Sequence, residues 1–233
     1  MERTFSRLAS LPLALALIVA CASAQEEARA VADGGVKVPG WTGQVDPGEA
    51  SRGEVISNAR MAPEGDGFRV TTGPASVFWD PANTASGNYV VKATFHEPEY
   101  MKINDHPHPY GIVIGGSDMG TAEQRYLYCA AYGNGTFIVR GFGPAPFQVN
   151  GRRGEASEAV NKAAGKGQPV TQEIAVAVHG DEVSCTINGT VVGRYPKADI
   201  VGDGKLASTD GVYGVRFAHN TDAIVTGFGI ERH

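Results

Sequence analysis

Hydrophobic and polar positions alternate with a period of two through most of this chain, the pattern of half-buried strands. The clearest region is 106–142, HPHPYGIVIGGSDMGTAEQRYLYCAAYGNGTFIVRGF, which divides into strand runs at Tyr110–Ile114, Arg125–Tyr132 and Thr136–Phe142. A Gly-Gly-Ser-Asp turn follows the first run, and Gly133-Asn134-Gly135 joins the other two as a hairpin whose central positions call for positive φ. In the middle run Leu127, Cys129 and Ala131 share one parity, and Tyr126, Tyr128, Ala130 and Tyr132 share the other. One side suits a core; the other carries a row of phenols.

The same alternation predicts strands at Glu54–Asn58, Gly67–Thr72, Ala75–Trp79 (closed by Asp80-Pro81) and Asn88–His96 ahead of that block. Beyond it come Thr171–Val178, a second Asn-Gly hairpin from Glu182–Ile187 and Thr190–Arg194, then Gly211–His219 and Ala223–Ile230. Residues 143–169 lack periodicity and read as a long excursion. A turn near Thr121–Gln124 is the nearest approach to a helix. Short strands and frequent turns predict an all-β fold, an antiparallel sandwich or barrel.

Composition agrees with that prediction. The 233 residues suit one sizeable domain or two small ones, and 31 glycines, 13 prolines and 19% charged residues fit a turn-rich β protein. A net charge of −5 and a pI near 5.7 argue against nucleic acid as a partner.

The N-terminus changes the compartment. Arg3 and Arg7 form a positive region, Leu11–Ala20 is apolar, and small residues follow, so 1–24 read as a signal peptide and the domain as extracytoplasmic. Ten apolar residues are too few to span a bilayer. Two processing readings stand: cleavage after Ala22-Ser23-Ala24, or a lipobox at Ile18-Val19-Ala20-Cys21 that leaves a lipid anchor on Cys21. Polar residues 25–37 read as a flexible linker, and 38–233 as the domain. Cys129 and Cys185 both share parity with core residues, in a compartment that permits disulfides. Sequence leaves open whether they are bonded or are two buried thiols.

Several stretches together carry a resemblance: W-D-P-A-N-T-A-S-G (79–87), H-P-x-x-Y-G-I-V-I-G-G (106–116), I-A-V-A-V with I-N-G-T-V-V (174–192), and D-G-V-Y-G-V-R-F-A-H-N (210–220). Over roughly residues 38–232 this resembles exported bacterial domains of the concanavalin A-like lectin/glucanase superfamily, and in particular 3-keto-disaccharide hydrolase-type domains. The resemblance implies a jelly-roll β-sandwich whose curved sheet carries glycan on its outer face. It also implies a place near the chemistry for His106, at the H-P-x-x-Y-G position, with Arg216. Two departures qualify the activity. Many hydrolase-like members have Asn-Ser-Gly-apolar where this chain has Tyr110-Gly111-Ile112-Val113, and no Glu-x-Asp-x-x-Glu pattern of the glucanase branch appears.

The candidate residues follow from parity. Tyr126, Tyr128, Tyr132, Arg140, Arg216, Lys92, Thr94 and His96 all point away from the core and are expected to form one glycan-binding face. Phenol rings offer apolar faces to sugar C–H groups, and arginines offer forked donors to hydroxyls. Tyr110 and His108 join them as candidate binders beside the rigid His106-Pro107-His108-Pro109 loop. Two histidines at i, i+2, even with Asp105, fall short of a metal site, so no metal is expected there. His219 has core parity and reads as a structural histidine at a strand end. Asp199, Asp203 and Asp210 lie in a Gly-containing loop that suits turn formation, with calcium as the alternative; no other cofactor is indicated. Three functions follow: a glycan-recognising domain, a hydrolase or lyase acting on 3-keto-disaccharides or related glycosides, and a structural envelope domain without a small-molecule site.

Overall fold

The computed structural model describes residues 28–102, 104–151 and 153–232. The signal peptide, both processing sites and Cys21 lie outside the described residues. Strands in chain order are β1 Gly35–Val36, β2 Thr42–Val45, β3 Ala59–Glu64, β4 Gly67–Thr72, β5 Ser76–Ala85, β6 Tyr89–Glu97, β7 Tyr110–Ser117 and β8 Arg125–Tyr132. They continue as β9 Thr136–Phe142, β10 Pro146–Gln148, β11 Glu155–Ala156, β12 Val170–His179, β13 Glu182–Ile187, β14 Thr190–Pro196, β15 Gly211–Phe217 and β16 Asp222–Arg232. One helical turn, α1, spans Pro47–Ala50. Among the described residues no helix is long and apolar enough to cross a membrane.

The strands form two sheets, a back sheet in the order β1-β3-β4-β16-β6-β12-β13-β14 and a front sheet in the order β10-β9-β8-β7-β15-β5-β2. All pairings are antiparallel except the short β1–β3 contact. This is an all-β antiparallel sandwich of the jelly-roll, concanavalin A-like kind. Alternation puts Val91, Ala93 and Phe95 of β6 and Ile174, Val176 and Val178 of β12 against Ile112 and Ile114 of β7, Leu127 of β8 and Val215 and Phe217 of β15. Fully burying a side chain such as Phe95 or Phe217 contributes roughly 2–3 kcal/mol. Cys129 of β8 and Cys185 of β13 are joined by a disulfide across this core, with Cα atoms 6.1 Å apart.

Several expectations are corrected. Glu54–Asn58 is not a strand: a 3-10 turn occupies Ile56–Asn58, and the strand follows as β3. Asp80-Pro81 does not end β5: the register with β15 steps from Trp79↔Gly214 to Thr84↔Val212, so the proline falls in an irregular stretch of β5 opposite Tyr213. Asn188-Gly189 turns with both φ positive, whereas at Asn134-Gly135 only the glycine does so and the Asn134 side chain accepts from Thr136 N at 3.1 Å. The excursion 143–169 doubles back along the edge of β9 through β10 and β11. The described part of the 25–37 segment is docked rather than free: Arg29 donates to the carbonyls of Thr72 and Thr221 at 3.1 and 2.9 Å, and β1 pairs with β3.

Candidate functional site

Two ladders of aligned residues cross the outer face of the front sheet. One runs Arg140–Tyr128–Val113–Gly214–Trp79, the next Ile138–Ala130–Gly111–Arg216–Val77–Gln44. Small residues at the middle of both ladders let longer neighbours lie flat. Gly111 has no alternative, since a Cβ there would come within 1.9 Å of the Cys129 carbonyl oxygen. Arg216 fills the hollow. Its guanidinium stands 4.6 Å above the Tyr128 ring centre and 5.6 Å from that of Phe142, and it pairs with the Asp46 carboxylate at the end of β2.

Parity therefore assigned Tyr126, Tyr128, Arg140 and Arg216 to one face, as the register places them. That face is largely covered rather than solvated. Tyr126 is fully buried, and Tyr128 and Arg216 are 5% and 7% exposed. The two tyrosines form a second apolar cluster with Val77, Trp79, Val113 and Ile138, edged by half-buried Tyr132 and Phe142. Burial works against charge on Arg216, but Asp46 and the two phenols outweigh it and raise its pKa. Burial likewise pushes the Tyr126 hydroxyl well above its ordinary value, with Asp46 adding to the effect.

This layer is rich in buried polar atoms that close no hydrogen bond of ordinary geometry with the described chain. They are Gln44 Oε1, Asp46 Oδ1 and both side-chain polar atoms of Gln124, while the Tyr126 hydroxyl and the Arg216 guanidinium pair with each other. Asp46, Gln44 and Gln124 escaped the sequence reading. Gln124 carries the parity of Tyr126 one step before β8 and was legible; Asp46 needed the β2–β5 pairing, which alternation did not reveal.

Two other expected members belong elsewhere. Tyr110 points into the sandwich core, its ring centre 5.3 Å from that of Phe95 and 5.9 Å from that of Phe217, and it cannot meet a ligand on the front face. His96 stands on the outer face of the back sheet, its Nδ1 2.8 Å from Thr171 Oγ1, with Lys92 and Thr94 on the same strand. Parity tells which side chains leave the core but not from which sheet.

His106 and His108 gather at one end of the sandwich with a partner the sequence reading assigned to structure, His219. The ring centres of His106 and His108 are 4.4 Å apart, those of His108 and His219 4.0 Å. One ligand nitrogen from each ring lies within 4.8 Å of the others, the single such grouping of His, Cys, Asp or Glu among the described residues. Asp199, Asp203 and Asp210 do not form one: Asp210 accepts from Gly87 N at 3.0 Å, and Lys205 Nζ donates to the Asp199 carbonyl at 2.8 Å. Burial lowers the His108 pKa to about 3, helped by its two histidine neighbours, which keeps the ring neutral. Arg216 contacts Asp46 and the phenols, so the histidines and Arg216 occupy separate places: His219 follows β15 with core-side parity, Arg216 with outer-face parity.

A further ionisable group lies near that end. Glu97 closes β6 with the inward parity of Val91 and Phe95, a carboxylate at an apolar position that the alternation could have flagged. Burial raises its pKa to about 7, against hydrogen bonds from Met101 N–H and the Tyr110 hydroxyl.

No known family model matches the sequence, and no curated protein matches it. Solved structures do. Carbohydrate-binding module CBM66 from Bacillus subtilis superposes with a TM-score of 0.55 at 9% identity, over 84% of this chain and 98% of that one. A Bacillus subtilis protein of unknown function with a galectin-like fold gives 0.57 at 12% identity, over 82% and 89%. Nothing at the level of sequence family supports the 3-keto-disaccharide hydrolase branch. At these identities the likeness establishes the fold alone: the chain is a jelly-roll β-sandwich.

Proposed function

We propose that this is an exported carbohydrate-recognising domain whose ligand is held at the outer face of the front sheet, at the rim of the Arg216 layer. The observation that carries this reading is the set of buried polar atoms of Gln44, Asp46 and Gln124 that close no hydrogen bond within the described chain, beside the Tyr126–Arg216 pair and the aromatic cluster. A buried polar group left unsatisfied costs about 1–3 kcal/mol, so such a cluster favours a partner dense in hydroxyls. Aromatic faces beside forked donors suit a sugar ring. The similarity to a carbohydrate-binding module supports the same reading.

Because Tyr128 already carries the guanidinium on its ring, sugar stacking falls to the half-exposed rim, Tyr132 and Phe142, with Arg140 as the donor beside them. A glycan array followed by calorimetry tests this. Binding that weakens in Tyr132→Ala and Arg140→Ala supports the face; binding indifferent to both removes it.

A second reading, a hydrolase or lyase acting on 3-keto-disaccharides or related glycosides, is favoured by the His106/His108/His219 grouping at the H-P-x-x-Y-G loop. In it His106 would act near the chemistry, and Arg216, committed to Asp46, would be structural. Turnover of a 3-keto-glucoside that is lost in His106→Ala would select it.

A further inference from the structure

The histidine grouping carries an inference independent of the glycan reading, and it begins with which nitrogens bear protons. His108 Nδ1 lies against the backbone carbonyl oxygen of His219, which can only accept, so Nδ1 carries the hydrogen. The Asn104 amide nitrogen also lies 2.9 Å from that Nδ1 while its other N–H donates to the Asn220 carbonyl at 2.8 Å, so Nδ1 is held between a carbonyl and an amide donor. His106 Nδ1 is 2.6 Å from the Asp105 carboxylate, which fixes its hydrogen in the same way. The Nε2 atoms of His106 and His108 face each other at 2.8 Å, a contact that one ring proton closes as a hydrogen bond and that a metal ion would replace.

We propose that His106, His108 and His219 form a binding site for a divalent transition-metal ion of the zinc, nickel or copper type. A ligating imidazole is ordinarily oriented by its other N–H donating to a carboxylate or backbone carbonyl, and His106 and His108 show one of each. His219 brings the third nitrogen within 4.8 Å. Imidazoles select borderline transition metals, whereas calcium and magnesium require oxygen ligands. The frame is rigid: His108 leads directly into β7, His219 follows β15, and Ala218 N bonds to the Pro109 carbonyl at 2.9 Å, locking the two segments together. His108 is buried, while the exposed side of His106 gives an ion its entry and a position for water or a ligand oxygen.

The test uses the untagged chain, stripped with a chelator, desalted and titrated with zinc chloride by calorimetry, with cobalt(II) absorption as a second readout. One ion per chain is expected. His106→Ala should weaken zinc by at least about tenfold with the metal-free melting temperature unchanged, since its side chain is exposed; His219→Gln should weaken it as well. Asp105→Asn should weaken it less, because it only orients a ligand. His96→Ala, on the opposite sheet, should leave it intact. Absence of uptake, with nitrogen NMR showing a His106 imidazolium sharing its proton with His108, would overturn the proposal. So would zinc affinity indifferent to His106→Ala.

Discussion

The guanidinium of Arg216 lies 4.6 Å above the centre of the Tyr128 ring while it pairs with Asp46. An arginine pointing out of the sandwich core is thereby buried a second time, with side chains only 9% and 14% exposed at the two ends of the ion pair. Removing one member of a buried pair leaves the other charge uncompensated. We expect Arg216→Ala to lower folding stability by about 3–5 kcal/mol, and Arg216→Met with Asp46→Leu to recover most of the loss. Urea denaturation of the single and double variants checks this, and a single-variant cost under about 1 kcal/mol would mean a solvated pair.

The disulfide closes a 56-residue segment between the two sheets. On the chain-entropy account, that closure stabilises the fold by about 4 kcal/mol. Thiol titration of the denatured, unreduced domain should find no free thiol from Cys129 or Cys185. Reduction should lower the denaturation midpoint accordingly. Two free thiols in the unreduced chain would refute the bond.

Glu97 faces Tyr110, Tyr100, Arg29 and Asp222, and burial raises its pKa from the ordinary 4.5 to about 7. A raised folded-state pKa means that the native chain binds more protons than the unfolded one between those values. Stability from this group is therefore full below about pH 4.5 and falls as pH rises to about 7, by roughly 3 kcal/mol at most. Glu97→Gln should stabilise the domain at pH 8 and have little effect at pH 4. Equal effects at both would show that the carboxylate stays solvated.

Much of the fold was legible because alternation reports half-buried strands directly. The bounds of β4, β8, β9 and β13 agree with the periodicity to the residue. Strands with polar or mixed faces, β2 and β3, were not seen; Thr42-Gly43-Gln44 has no apolar alternation to read. The site was legible only in part. Parity separated Arg216 and Tyr128 from Val215 and Cys129, but burial of the outer face depends on sheet curvature and on Asp46, 170 residues from Arg216 in sequence. His219 was out of reach for the same reason: its partner His108 is 111 residues away, and only the β7–β15 pairing joins them.

The central claim, that the rim of the Arg216 layer recognises carbohydrate, is tested most directly by calorimetry with the strongest glycan found on an array, comparing the wild-type domain with Tyr132→Ala and Arg140→Ala. Both rim side chains are half-buried and Tyr132 packs on the apolar cluster, so thermal unfolding of each variant is followed alongside binding to separate lost affinity from lost fold. We expect each substitution to weaken binding about tenfold, equivalent to about 1.4 kcal/mol. An array without a hit, or full affinity retained in both folded variants, would contradict the claim.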